Sequence, residues 1–386
     1  MLGRMNARIP DPFPSSTDSD VLVVGAGIVG LAHAWEAARR GLTVQVIERD
    51  AACLGASVRN FGAITVTGQE AGDTWRRARR SSEVWSELAP QAGIPILHRG
   101  LWLTAQRPEA ARVLDAFMAT PMAEACVLLS PAEAADRHPA LRTELASAVL
   151  HSPHELRVES REAVPRLAAW LAERHGVRFR FGEAVLEVDA PRVRTSRGRY
   201  RAERVVVCTG AALNDLYADR YTPHRLQLCQ LQMLRVRPEP GFRLQGTVMG
   251  DLTLVRYLGF ARLPDAVVLR ARLEDEEHDS LAHGVHLIVV QSADGSLVVG
   301  DSHHYGAAVP PFARSDVDEV ILRHLRAALN LEQAQVTERW VGRYASSQET
   351  TVLIDAPDQA TRLVNVTSGT GASTAFGIAE DVFAGW

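Results

Sequence analysis

The chain has 386 residues, 46% hydrophobic and 23% charged, with a formal net charge of −4. That length supports one large composite domain or two ordinary ones around a sizeable core. The slight negative charge removes the electrostatic case for nucleic acid or an anionic membrane surface. All 42 basic residues are arginine, a pattern of GC-rich coding, and this excludes lysine Schiff-base chemistry and a phosphate-loop lysine.

Residues 1–18 are rich in Pro, Ser and Asp and read as a disordered lead-in without the apolar run of a signal peptide. No stretch approaches the length of a membrane-spanning helix. Cys53, Cys126, Cys208 and Cys229 stand apart, so neither a zinc site nor a disulfide framework is expected. A reducing, cytoplasmic location fits.

"VLVVGAGIVG" at 21–30 begins with a β-branched run that suits a buried parallel strand. Gly25, Gly27 and Gly30 follow in G-x-G-x-x-G spacing, with Ile28 at the start of a helix that ends at Gly41. "LTVQVIERD" is a second strand, closing on Glu48 and Arg49. Gly25 allows a tight turn, Gly27 lets backbone approach a pyrophosphate, and Gly30 lets helix pack on strand. Glu48 is placed to accept hydrogen bonds from a ribose. Together these parts specify a dinucleotide site.

Downstream, "ERVVVCTGAALNDL" at 203–216 is a further apolar strand that runs into Thr209-Gly210. "RLVNVTSGTGASTAFGIAEDVFAG" at 362–385 reads as strand, glycine-rich turn and helix. The nucleotide unit therefore starts the protein, is rejoined in its middle and is completed near its end. An NAD-dependent dehydrogenase normally has an uninterrupted nucleotide domain. The interrupted layout resembles the FAD-binding family that includes D-amino-acid oxidase, glycine oxidase and sarcosine oxidase.

The resemblance implies an α/β protein. A discontinuous Rossmann-like FAD-binding domain of βββαα type would occupy 19–79, 156–215 and 331–386. An inserted α+β substrate domain, built on a mixed antiparallel sheet, would occupy 80–155 and 216–330. It also implies that Gly369, Thr370, Gly371, Ser373 and Thr374 bring N–H groups and a helix N-terminus to the flavin edge where charge grows on reduction. "GASVRNFGAITVTGQ" at 55–69 would run past the cofactor. Ala56, Ser57, Phe61 and Gly62 would lie close to it, with Arg59 and Asn60 near the ring or the substrate.

Four short motifs, "SVRNFG…TGQ", "LQMLR", "GDSHHYG" and "TSGTGASTAFGIAE", look like a subgroup proposed to oxidise aminophosphonates. The subgroup's form of the second motif carries a lysine where this chain has Gln230, so no role of that lysine transfers. The resemblance makes Arg59, Asn60, His304, Arg343 and Tyr344 candidate catalytic residues. Arg59, Tyr257, His303, His304, Tyr305 and Arg343 are candidates to bind substrate, with Arg256 beside them.

The pair His303–His304 lacks a third ligand of obvious spacing, so no metal is expected. Relatives that bond flavin through a cysteine carry it near "RWVGRYASS" at 339–347. Here Ala345, Ser346 and Ser347 stand there, so FAD is expected to bind non-covalently. The expected partners are a small-molecule amine and oxygen or another electron acceptor. An oxidase or dehydrogenase of glycine, sarcosine or a D-amino acid is the alternative, and a flavin-dependent tRNA-modifying protein is a remote one.

In the substrate domain, "LHRGLWLTAQ", "LQLCQLQMLRV" and the two runs flanking "SADGS" read as strands, the last pair as a hairpin. "LTLVRYLGFA" at 252–261 reads as a further strand, and "SREAVPRLAAWLAERHG" at 160–176 as an amphipathic helix.

Overall fold

The computed structural model describes residues 18–386; the expected disordered lead-in lies outside them apart from Asp18. Two sheets organise the protein. The first has eight strands. Its main run is Val352–Asp355, Thr361–Val366, Arg199–Val207, Ser19–Val24, Val44–Glu48 and Arg178–Phe181. From Thr361–Val366 to Arg178–Phe181 the pairings are parallel, and Val352–Asp355 is an antiparallel edge.

Val21, Leu22 and Val23 have no exposed surface, as a strand covered on both faces requires. Val21 and Val23 pack under the helices Ile28–Arg39, Ser160–His175 and Gly371–Ala384, while Leu22 packs with Ile47, Val205 and Val207 on the other face. Phe376 fixes this layer by receiving Trp35 and Trp85 edge-on, with centroids 5.6 and 5.4 Å away. The helix expected at 160–176 spans Ser160–His175 and ends at Gly176 with φ +65°.

The second sheet has ten strands and is mixed. Thr247–Met249 pairs in parallel with Ile96–Ala105, and the other pairings are antiparallel. The long strand Gln227–Arg237 is its axis. Gln335–Ser346 runs along one side of it, and His304–Gly306 and Leu297–Gly300 share the other. Alternate residues of this strand serve different cores. Cys229, Leu231 and Met233 join the layer that holds Phe61, Tyr257, Phe260 and Tyr344. Leu234 and Val236 join the layer of the helix Ser315–Ala328. Gln232 points the same way, bonding the backbone of Arg314 and the carboxylate of Asp318.

The sheets divide the chain differently from the expected segment boundaries. Gln335–Ser346 belongs to the second sheet, although 331–386 was assigned to the FAD-binding unit, because its hydrogen-bond partner is Gln227–Arg237. Ala63–Ile64 likewise pairs with Ala148–Val158 of the second sheet. The expected strand at 252–261 is instead a 3-10 turn at Asp251–Val255 and a short helix at Leu258–Ala261. Every residue from Asp251 to Val255 is buried, so no solvent face exists to sustain an alternating pattern. The amide of Gly259 bonds the carbonyl of Gly68 at 2.9 Å, and this holds the turn against the other segment.

Gly30 makes the tightest packing in the first layer. A Cβ there would lie 1.9 Å from the carbonyl oxygen of Gly25. Gly30→Ala should force the helix away from the strand and destabilise the protein by about 1–3 kcal/mol. The measurement is a lowered midpoint of urea unfolding with an unchanged slope.

Candidate functional site

The first turn of the nucleotide unit is held from three directions. Gly25 takes φ +99°, and its amide donates to the carbonyl of Ile47 at 2.8 Å. A Cβ there would lie 2.5 Å from the carbonyl oxygen of Cys208, so only glycine fits the turn. Glu48 accepts the amide of Ala26 at 2.8 Å through one oxygen and that of Asp50 at 3.0 Å through the other. Its carboxylate thus ties the glycine turn to the end of the second strand. Ser57 reaches over the turn to accept the amide of Ile28 at 2.9 Å, and a Cβ on Gly27 would sit 3.1 Å from that hydroxyl oxygen. Arg49 pairs with Asp215 at 2.8 Å on the exposed side.

A single cavity of about 1250 Å³ runs from this turn to the second sheet. It exceeds the ~300–1,000 Å³ of ordinary small-molecule sites and has room for a dinucleotide with a small substrate. Ala56, Asn60, Phe61, Thr209 and Gly210 line it. So do Gly369, Thr370, Gly371 and Ser373 at the start of the helix Gly371–Ala384. That helix begins at Thr370 without a side-chain cap, so its positive dipole end stands in the wall. Ser373 accepts the amide of Thr65 at 2.9 Å and thereby ties the helix to the 55–69 segment. Gly369 has φ +74°, and a Cβ there would lie 3.1 Å from the Tyr344 ring.

At the far end, neighbouring strands set Tyr305, Cys229 and Tyr344 in one row across the sheet. Tyr305 and Tyr344 line the cavity. Burial raises the Tyr344 hydroxyl well above the ordinary tyrosine value, so it stays protonated at any physiological pH. The Arg256 guanidinium donates to the Tyr305 hydroxyl at 2.8 Å. Tyr257 and His303 complete this end. Arg59 lies at the rim, where it donates to the carbonyl of Val341 at 3.3 Å while its own carbonyl accepts the Trp340 indole N–H at 3.1 Å. Glu70, the natural partner for Arg59, is taken by Arg262.

Five sequence candidates are placed differently from expectation. Gly62 lies outside the cavity wall; a Cβ there would be 1.9 Å from the carbonyl oxygen of Val158, so its glycine serves the crossing of two chain segments. Thr374 also lies outside it, buried with its hydroxyl on the carbonyl of Thr370. Asn60 lines the cavity but donates its amide to the carbonyls of Ala56 and Ser57 and accepts the amide of Gly62. It shapes the loop rather than presenting a reactive group.

His304 and Arg343 are corrected by the strand pleat. They share a row with Gln230, one residue out of step with the row of Tyr305, Cys229 and Tyr344. His304 meets His283 at 3.2 Å, away from the cavity. Arg343 is four residues beyond Arg339, which pairs with Asp318 on the helix Ser315–Ala328. Residues four apart in a strand share a face, so Arg343 stands on the same pleat as Arg339 while contributing to the cavity wall. Its Nε is buried without a hydrogen-bond partner among the described residues.

Three residues gain importance. Arg256 was a minor candidate, and among the described residues it makes no ion pair within 4 Å. Asp301 and His286 were not identified from sequence. Both are buried and line the cavity beside His303. His286 Nε2 lies 3.2 Å from one Asp301 oxygen, and His303 Nε2 lies 3.7 Å from the other. Burial pushes both histidines below their ordinary value, His303 far below it. Asp301 remains ionised because the neighbouring imidazoles and Arg256 outweigh its burial. His303 thus has two titratable neighbours that the His303–His304 pairing did not include. His286 comes to His303 from across a hairpin and Asp301 from two residues earlier in the chain, and His304 is not one of the group. The only sequence signal was "GVHLIVV" before the hairpin turn, where His286 begins the run.

The chain matches the family model described as FAD dependent oxidoreductase over residues 20–384. It belongs to this family and is an FAD-dependent oxidoreductase. A bifunctional protein ThiO/ThiG from Nostoc sp. is 29% identical over 238 residues, which cover 57% of this chain and 35% of that protein; the chain thus spans about a third of that relative's length. Glycine oxidase from Geobacillus kaustophilus has the same fold, with TM-score 0.74, 20% identity and coverage of 95% and 94% of the two chains. L-proline dehydrogenase from P. horikoshii does too, with TM-score 0.75, 19% identity and coverage of 95% and 94%. Among the described residues no helix is long and apolar enough to cross a membrane.

Glu48→Ala should weaken FAD binding by about tenfold to a hundredfold, since charge-assisted hydrogen bonds are worth about 1.5–3 kcal/mol. Fluorescence titration of FAD into the stripped protein measures this, and the order of substrate preference should not change.

Proposed function

We propose that the enzyme oxidises the C–N bond of a small amine bearing an acid group, with an aminophosphonate as the favoured class. The observation that carries this reading is Arg256. It lines the cavity, and among the described residues its side chain bonds only to a neutral tyrosine hydroxyl, so its charge is available to an anionic ligand. A phosphonate offers three acceptor oxygens and up to two negative charges. Arg256, Tyr305, Tyr257 and Arg59 together suit it better than they suit a single carboxylate. The four subgroup motifs support the same class.

FAD fits the glycine turn, Glu48 and the uncapped helix, and these residues would hold it without a covalent bond. When bound, it supplies the two-electron acceptor for the hydride that leaves the carbon next to nitrogen. The chain's own part is positioning. Arg256 and Tyr305 fix the acid end. Tyr344 packs between the substrate sheet and Gly369 and keeps water from that side. The amine must be neutral for its lone pair to assist. His303 and His286, held neutral by burial, add no charge beside the amine, and the proton shed by an incoming ammonium passes to solvent. Loss of hydride leaves an imine, and water converts it to a carbonyl compound and ammonia or an amine. Oxygen or another acceptor takes the electrons afterwards.

Arg256→Ala should slow flavin reduction by the best substrate well over tenfold, in line with about 2–5 kcal/mol for an unpaired buried charge, with a near-normal flavin spectrum. Arg256→Lys should recover only part, since an ammonium lacks the planar fork. Arg343→Ala should change the rate less than Arg256→Ala. Equal effects would return the acid site to Arg343.

A second reading, an amino-acid oxidase or dehydrogenase, is supported by the activities named for the glycine oxidase and proline dehydrogenase of like fold. Anaerobic reduction by 2-aminoethylphosphonate, its N-methyl and 1-hydroxy forms, glycine and sarcosine separates the two. The phosphonates should react fastest. A faster reaction with glycine or sarcosine than with every phosphonate would favour the second.

A further inference from the structure

We propose that His286, His303 and Asp301 form a binding site for one divalent transition-metal ion, opening into the substrate end of the cavity. The candidate ligand atoms all lie within 4.8 Å of one another. The scaffold is rigid. The backbones of His286 and Asp301 exchange hydrogen bonds at 3.2 and 3.0 Å, and His303 donates to the carbonyl of His283 at 2.9 Å. All three side chains are buried, so their positions are set by packing rather than by solvent.

The hydrogen bonding around the cluster points to a cation. His303 Nδ1 lies 2.9 Å from the carbonyl oxygen of Gly284. A carbonyl only accepts, so the proton sits on Nδ1 and the lone pair of Nε2 faces Asp301. That lone pair looks at a carboxylate oxygen 3.7 Å away, and two acceptors face each other. The other carboxylate oxygen, Oδ1, is buried and has no hydrogen-bond partner of good geometry among the described residues, although His286 Nε2 is 3.2 Å from it. His286 Nδ1 has the Thr253 hydroxyl 3.5 Å away on its far side. Ring nitrogens facing inward, with outer nitrogens held by a carbonyl and a hydroxyl, are what metal-ligating histidines require.

Ligands about 2.0–2.1 Å from a tetrahedral metal lie about 3.3 Å apart. The two imidazoles approach different oxygens of Asp301, at 3.2 and 3.7 Å, and the three ligand atoms lie within 4.8 Å of one another, so side-chain rotation would have to draw them together around the ion. Two imidazoles and one carboxylate suit zinc, iron(II), cobalt(II) or manganese(II) rather than magnesium or calcium. Arg256 adds positive charge nearby and tempers the affinity, while Asp301 offsets part of the metal's charge. The remaining coordination positions face the cavity. On the reading that the substrate carries an acid group, they would take one of its oxygens.

The test uses the FAD-loaded protein, treated with a chelator, dialysed and incubated with zinc or cobalt(II) in the absence of any amine. After gel filtration, elemental analysis should find about one metal per chain. Cobalt(II) should add absorption at wavelengths beyond the oxidised flavin band. His303→Gln and Asp301→Asn should each lower metal affinity at least about tenfold, with an unchanged flavin spectrum as the sign of intact folding. His286→Gln provides a third variant if one of these fails to fold. His304→Gln, on the opposite face, should retain the metal. Wild-type protein that retains no more metal than His303→Gln would overturn the site, as would equal loss in His304→Gln. No amine is present, so the result is independent of the substrate reading. Methylphosphonate added to the cobalt form should alter its spectrum, and failure to do so would remove the link to the acid group while leaving the metal site standing.

Discussion

The pleat of one strand, Gln227–Arg237, decides which side chains reach the cavity. Its partners His304–Gly306 and Gln335–Ser346 inherit its alternation, because pairing fixes which residues share a face. The row of Tyr305, Cys229 and Tyr344 faces the cofactor side. The adjoining row of His304, Gln230 and Arg343 lies on the opposite pleat, and of these three Arg343 lines the cavity. A one-residue slip would exchange the rows and turn two tyrosines away from the cavity. The partition is secured on the helix side by the polar ties of Gln232 and Arg339 to Asp318 and on the other side by apolar packing around Met233 and Phe260.

The nucleotide end was legible in the sequence because its constraints are local. Gly25, Gly27 and Gly30 are separated by fixed short spacings, and each answers a close contact within the same strand–turn–helix unit. Glu48 follows at the end of the next strand. The substrate end was less legible because its geometry is set by pairing across long separations. "HHY" is three adjacent letters, yet His303 and Tyr305 reach the cavity and His304 does not. Asp301 and His286 are fifteen residues apart and meet only because the hairpin between them closes. Arg256 was misplaced onto a strand because a run buried on all sides carries no period to read.

The cavity also has an electrostatic gradient along its length. Glu48 and Asp50 stand near the nucleotide end, where Asp215 is paired with Arg49, and Arg59 and Arg256 stand near the other. In a chain without lysine, each cation here is a planar fork of several donors rather than a point charge. Such a group can bind a ligand while still holding a neighbour, as Arg256 does with Tyr305. Asp301 is the exception in this positive region, and the nearby Arg256 guanidinium favours its charge.

The cofactor cradle is assembled from stretches far apart in the chain, and this bears on how the protein is made. A nascent chain that has emerged only as far as residue 330 already holds the Gly25 turn and the strand Arg199–Val207. It still lacks the strand Thr361–Val366, the Gly369 turn and the helix that packs against Ile28–Arg39. Such long-range closure is slow and leaves apolar surface uncovered meanwhile. The flavin cradle is therefore complete only once the strand Thr361–Val366 and the helix Gly371–Ala384 have docked. Until the helix Gly371–Ala384 docks, Trp35 and Trp85 have no Phe376 to pack on, and the half-built layer is where a chaperone or a protease would find this protein.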